Sequence, residues 1–199
     1  MSDAVVGPVY RFGRTVVTVV VGDLLGQGAE AIVVAANRRG VLGPLATPGL
    51  TSLRSLGGSE IEREAMALAP FELGTAVVTG APGLEERGVV AVVHAVVRRA
   101  LGERAEVEHV RRAVPAALEA AATRRLRSIA IPLLGVESLA AEADAEAMIA
   151  ALVEEMVRSL RRTTPRIDQI TIVCRFSEQA ELVGAILARA RERIWMRNP

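Results

Sequence analysis

Short blocks of valine, isoleucine and alanine recur along the chain, over residues 15–21, 31–36, 75–79, 89–95, 128–131 and 169–174. Each block is mainly apolar and rich in β-branched residues, without the alternation of a half-exposed strand, which is the pattern of strands buried on both faces. Between the blocks the period becomes helical. Residues 59–69 open on Ser59-Glu60-Ile61-Glu62, the form of a capping box. Residues 106–124 and 140–162 are rich in alanine and glutamate at helical spacing, and Ser177 stands where it can cap a last helix to about residue 195. Pro115 lacks the amide that a helix interior needs, so it predicts a kink or break in the second of these helices. Buried strands alternating with helices call for a mainly parallel, mixed sheet covered on both faces. The expected fold is therefore an α/β, three-layer α/β/α domain, with residues 1–199 forming one unit.

In sheets of this kind ligands sit in the loops beyond the carboxyl ends of the strands. One strand-like run, Ala31-Ile-Val-Val-Ala-Ala-Asn37, ends in a carboxamide at such a position. The longest irregular stretch, residues 40–58, follows it, and a loop of that length is often functional.

Composition narrows the function classes. Hydrophobic residues make up 51% of the chain and the mean hydropathy is +0.33, so a membrane reading comes first. It fails, because no apolar run approaches the roughly 20 residues that cross a bilayer, and the N-terminus lacks the pattern of a signal peptide. A single cysteine, Cys174, fits a reducing compartment, and the expected location is the cytoplasm. Cys174 lies in an apolar run and reads as a small hydrophobe. The net charge of +1 argues against a general nucleic-acid binder. All 24 basic residues are arginine, which removes every mechanism that needs a lysine amine. The two histidines, His94 in an apolar run and His109 among charged helical neighbours, read as a core residue and a solvated one. With no Cys/His cluster there is no case for zinc, and no cofactor is implied.

Gly26-Gln27-Gly28-Ala29-Glu30-Ala31 matches the Gly-x-Gly-x-x-Ala dinucleotide fingerprint. That fingerprint must open a helix, whereas strand-like residues follow here and no acidic residue stands about 20 positions further on.

A second pattern covers most of the chain. Val20-Val-Gly22-Asp23-Leu24, Ala31-Ile-Val-Val-Ala-Ala-Asn37, Gly74-Thr-Ala-Val-Val-Thr79, Val92-Val-His94-Ala-Val96 and Ser128-Ile-Ala-Ile-Pro132 resemble, in order, the landmarks of the macro domain family. Members of that family are α/β/α modules that bind ADP-ribose, and several hydrolyse ADP-ribosyl bonds or deacetylate O-acetyl-ADP-ribose. The resemblance implies that Asp23 accepts a hydrogen bond from the adenine amino group and that Asn37 holds the distal ribose. Their separation of 14 positions matches the common spacing of the family. Leu24, Ala36, Gly43, Gly135 and Val136 are the further ligand-binding positions it implies, and Asn37 is the sole candidate for a catalytic role.

The chain also departs from the family pattern. Where family members carry consecutive glycines after the asparagine, this chain has Gly40-Val-Leu-Gly43-Pro44-Leu-Ala-Thr-Pro48, and proline offers no amide to a phosphate. Pro132 is followed by Leu133-Leu134-Gly135-Val136-Glu137, a shortened loop without the family's aromatic and with an added negative charge. Two functions follow. The first is binding of ADP-ribose or a related adenine nucleotide, with weak ADP-ribosyl or phosphoester hydrolysis as an extension; the second is a non-catalytic macro fold that has lost its diphosphate site and serves as a structural or homo-oligomeric module. Leu134 or Leu45 plugging the cleft would favour the second.

Overall fold

A computed structural model describes residues 5–42, 53, 56, 59–136, 142–162 and 166–195. Seven strands form one sheet: β1 (Val5–Phe12), β2 (Thr15–Val21), β3 (Ala31–Asn37), β4 (Ala76–Gly80), β5 (Ala91–Arg98), β6 (Ser128–Pro132) and β7 (Gln169–Cys174). Their order is β1-β2-β7-β6-β3-β5-β4. The five inner strands are parallel, and β1 and β4 run antiparallel at the two edges. The apolar blocks of the sequence correspond to β2 to β7. The edge strand β1 was not legible among them, because Gly7 and Pro8 interrupt its pattern where its pairing with β2 shifts register between Val6 and Val9.

The helices among the described residues are α1 (Glu60–Leu68), α2 (Val107–Thr123), α3 (Glu142–Arg162) and α4 (Ser177–Trp195). The pleat sends Ala31 and Val33 of β3 to a large core shared with α2, α3 and α4, while Ile32 and Val34 face a smaller core with Leu24, Leu53 and Ile61 on the other face. Three layers result, as the alternation of strands and helices requires. No helix among the described residues is long and apolar enough to cross a membrane.

Three local expectations are corrected. Helix α2 runs unbroken through Pro115. Proline forfeits one backbone hydrogen bond there, but the turns on either side bury Val110, Ala113, Val114, Ala117, Leu118 and Ala121, and that packing holds the helix together. The capping box at Ser59 does not form: Ser59 makes no side-chain cap, and Glu62 is turned inward. Ser177 is the first residue of α4, not its cap; the side chain of Gln179 accepts from the amides of Arg175 and Phe176 at 3.0 and 3.3 Å. Leu187 is buried in the large core, with Leu182 and Ile186 packed against it; the side chains of Ile194 and Trp195 lie outside the described set.

Candidate functional site

The carboxyl ends of the parallel strands bring the sequence-derived residues to one side of the sheet. Asp23 follows β2, Asn37 closes β3, and Gly135 and Val136 follow β6. Strands β7 and β6 lie between β2 and β3, so the two polar residues stand about three strand spacings, roughly 14 Å, apart along that edge.

Asp23 precedes a single 3-10 turn, Leu24–Gly26, yet its side chain makes no cap to it. Its main-chain carbonyl accepts from Gln27 Nε2 at 2.5 Å and from the Gly26 amide at 3.3 Å. The carboxylate is left with a buried oxygen, Oδ1, that has no hydrogen-bond partner among the described residues. A buried acceptor without a donor is costly, and such a group calls for a ligand or a water. The same turn disposes of the dinucleotide fingerprint: Gly28 has a φ of +63° and leads directly into β3, not into a helix.

Asn37 is 4% exposed, and both ends of its carboxamide are in use. Nδ2 donates to the Val41 carbonyl at 2.7 Å, and Oδ1 accepts from the Arg39 amide at 3.0 Å. That is an Asx turn, the local way in which asparagine reverses a chain at a strand end. Gly40, with a φ of +70°, completes the turn and lies so close to α1 that a Cβ there would stand 2.7 Å from the Ala65 carbonyl carbon. Leu42 then donates its amide to Glu62 Oε1 at 2.9 Å.

After β6, Gly135 adopts a φ of +84°, and a Cβ there would meet Ala105 Cβ at 2.7 Å. The Val136 amide is directed back to the Leu133 carbonyl at 3.3 Å. Leu134 is buried in the large core with α2 and α3. Leu24 and Ala36 are buried as well, at 4% and 3% exposure, so their side chains serve packing. Gly43, Leu45 and Glu137 lie outside the described residues.

Two residues at this edge were missed from the sequence. Arg98 ends β5 in register with Asn37 and is half-buried, and burial pushes its guanidinium pKa down. Its signal was available: Arg98 and Arg99 end an apolar run just as Asn37 ends another. Glu62 had no such signal, because only the folded loop shows that it reaches Leu42. His94 is buried, with Nε2 2.9 Å from Thr79 Oγ1 and Nδ1 without a partner among the described residues. Burial lowers its pKa to about 4. His109 is only 13% exposed at its side chain, so its expected solvation is corrected to a half-buried place beside Glu106. No cluster of potential metal ligands occurs among the described residues.

A family model for the Macro domain matches residues 33–150. An uncharacterized protein of Aquifex aeolicus is 37% identical over 135 residues, covering 67% of this chain and 78% of its own. One of Aeropyrum pernix is 36% identical over 126 residues, covering 63% and 64%. Among solved structures, an Oceanobacillus iheyensis macrodomain with ADP superposes with a TM-score of 0.78 at 15% identity, over 96% of this chain and all of that one. A Trypanosoma brucei macrodomain in complex with ADP-ribose gives 0.69 at 19% identity, over 85% and 68%.

Proposed function

The chain belongs to the macro domain family, and on that premise we propose that it binds ADP-ribose or a related adenine nucleotide, with the adenine on Asp23. The observation that carries this reading is the buried, unpartnered Oδ1 of Asp23 beyond the carboxyl end of β2. An exocyclic amino group is the donor that such a carboxylate lacks, and a hydrogen bond to a charged acceptor contributes about 1.5–3 kcal/mol. From Asp23 an elongated nucleoside diphosphate sugar would lie across the ends of β7 and β6 toward β3. The half-buried cation of Arg98 at the far end favours an anionic or oxygen-rich group there.

A second reading is favoured by a different observation. The Asn37 carboxamide and the Val136 amide are both engaged within the protein, so neither points an open donor at a ribose or diphosphate in this conformation. Hydrolysis that relied on Asn37 would first have to release it from Val41 and Arg39. A macro fold that keeps its adenine end and has lost the diphosphate cradle has these features.

Isothermal titration separates the two readings. Micromolar binding of ADP-ribose, about −8 kcal/mol, that is lost in Asp23→Ala supports the first and justifies a hydrolysis assay. Adenosine bound as tightly as ADP-ribose supports the second. If folded protein gives no heat with either ligand, the adenine assignment to Asp23 fails.

A further inference from the structure

Helices α2, α3 and α4 lie side by side on one face of the sheet, and all run toward the amino ends of the parallel strands. Each finishes in exposed arginines. Arg124 and Arg125 follow α2, Arg161 and Arg162 close α3, and Arg189 and Arg191 occupy the last two turns of α4. The end of β1 adds Arg11, and the segments leading into β2, β6 and β7 add Arg14, Arg127 and Arg166, all four exposed.

These groups share one surface. Asp168, just before β7, takes Arg14 Nη2 at 3.1 Å and Arg127 Nη2 at 2.5 Å, which joins three chain segments. The Tyr10 hydroxyl donates to the Gly184 carbonyl at 2.9 Å, and the Arg191 guanidinium lies 5.9 Å from the Tyr10 ring centroid, which brings the end of α4 to β1. Among the described residues at this end, Glu30, Asp168 and Glu192 oppose the ten arginines. Glu119 lies more than a turn back along α2, and Glu85, Glu86 and Arg87 stand at the far, β4 edge of the sheet.

Compensation of helix dipoles does not account for so many cations. Three helix carboxyl ends supply about −1.5 elementary charges together. The excess positive charge is several times larger, in a molecule whose net charge is only +1. Positive charge is therefore concentrated at the end of the molecule opposite Asp23 and Asn37.

Although the net charge alone argues against general nucleic-acid binding, the concentration of positive charge at one end reverses that expectation, and we propose that this arginine surface binds the phosphate backbone of a nucleic-acid duplex. Three packed helices at 8–10 Å spacing spread the cations over about 20 Å. That breadth suits an array of phosphodiesters, whereas a single small anion would engage one cluster. Each guanidinium can meet a phosphate with two parallel hydrogen bonds. A lipid surface is the poorer match, because interfacial binding needs apolar side chains among the cations. Of the exposed large apolar residues, Met66, Leu68, Leu101 and Phe176 lie away from these helix ends, and Val90, just before β5, is a single apolar side chain on this side of the sheet.

The test is fluorescence anisotropy of the full chain with a labelled DNA duplex and the matching RNA duplex across a salt series. Binding to both should weaken with a log–log slope of about −0.9 per phosphate engaged. The triple variant R124A/R161A/R189A should make that slope shallower by about 3 units. The variant R99A/R104A/R112A removes as much charge from the opposite end and should leave the slope unchanged. Equal losses in the two variants, or no salt-dependent binding at low salt, would overturn the proposal. So would tighter retention by phosphatidylserine vesicles than by either duplex at the same salt.

Discussion

His94 carries a consequence for pH. Its ring is fully buried in β5, and its contact to Thr79 Oγ1 satisfies only one nitrogen. Burial lowers its pKa from 6.5 to about 4, so the folded state holds the neutral ring while the unfolded chain takes up a proton at higher pH. The native state is unaffected above pH 6.5. It loses stability as pH falls from about 6.5 to about 4, by about 3 kcal/mol in total. Urea unfolding at a series of pH values should show this decline in the native protein. His94→Gln, which does not titrate, should lack that component; an unchanged decline in the variant would place its origin elsewhere. Asn37 shows how far a single residue could be read from sequence. Its position at a strand end facing the loops was legible from the apolar run that it closes. The use of its carboxamide was not, because the hydrogen bonds to Arg39 and Val41 arise only once the Asx turn has formed.

Pro115 poses the corresponding question for a helix. Its neighbours bury one face of α2 against the large core, and the helix continues through it despite the forfeited backbone hydrogen bond. Replacing a helix-interior proline by alanine should recover part of the roughly 3 kcal/mol that separates the two residues. Pro115→Ala is expected to raise the stability to urea by about 1–3 kcal/mol. No gain would mean that the ring packs well enough to offset the lost bond. The same balance explains which elements the sequence revealed. Strands β3, β5, β6 and β7 were legible because burial on both faces leaves them almost uniformly apolar, and β2 and the edge strand β4, though partly exposed, keep valine-rich runs. Strand β1, at an edge, needs no such uniformity and tolerates Gly7 and Pro8. Helix positions were legible from their period, but their ends were not: Ser59 and Ser177 have the right chemistry for caps, yet Ser59 makes no cap bond, and at α4 the local side chain of Gln179 accepts from the amides before the helix. The site followed the same rule. Asp23 was singled out by its position after an apolar run, and Arg98 carried the same kind of signal, whereas the bond of Glu62 to the Leu42 amide exists only once the chain has folded.

Charge over the whole molecule was the least legible property, since a net charge of +1 says nothing about its division between two ends of a sheet. The connectivity explains the division: after β5, β6 and β7 the chain runs back through α2, α3 and α4 to the amino ends of the parallel strands, so the arginines that close these three helices accumulate there. Cooperativity is also a property of the whole, and Cys174 offers a probe of it. The thiol is 1% exposed in β7, between β2 and β6, and burial raises its pKa from 9.0 to about 12. The folded protein thus holds about a thousandfold less thiolate than an unfolded chain near neutral pH, and the sulfur is out of reach of reagents in solution. Alkylation must then await an opening. Because β7 is paired on both sides, freeing Cys174 disrupts the centre of the sheet and both cores that pack on it. The rate of iodoacetamide labelling at pH 8 should therefore rise exponentially with urea, with the same dependence as global unfolding followed by circular dichroism. A labelling rate that stays flat at low urea would reveal a local opening at the carboxyl end of β7, beside Asp23, and would make that end of the sheet separable from the rest of the fold.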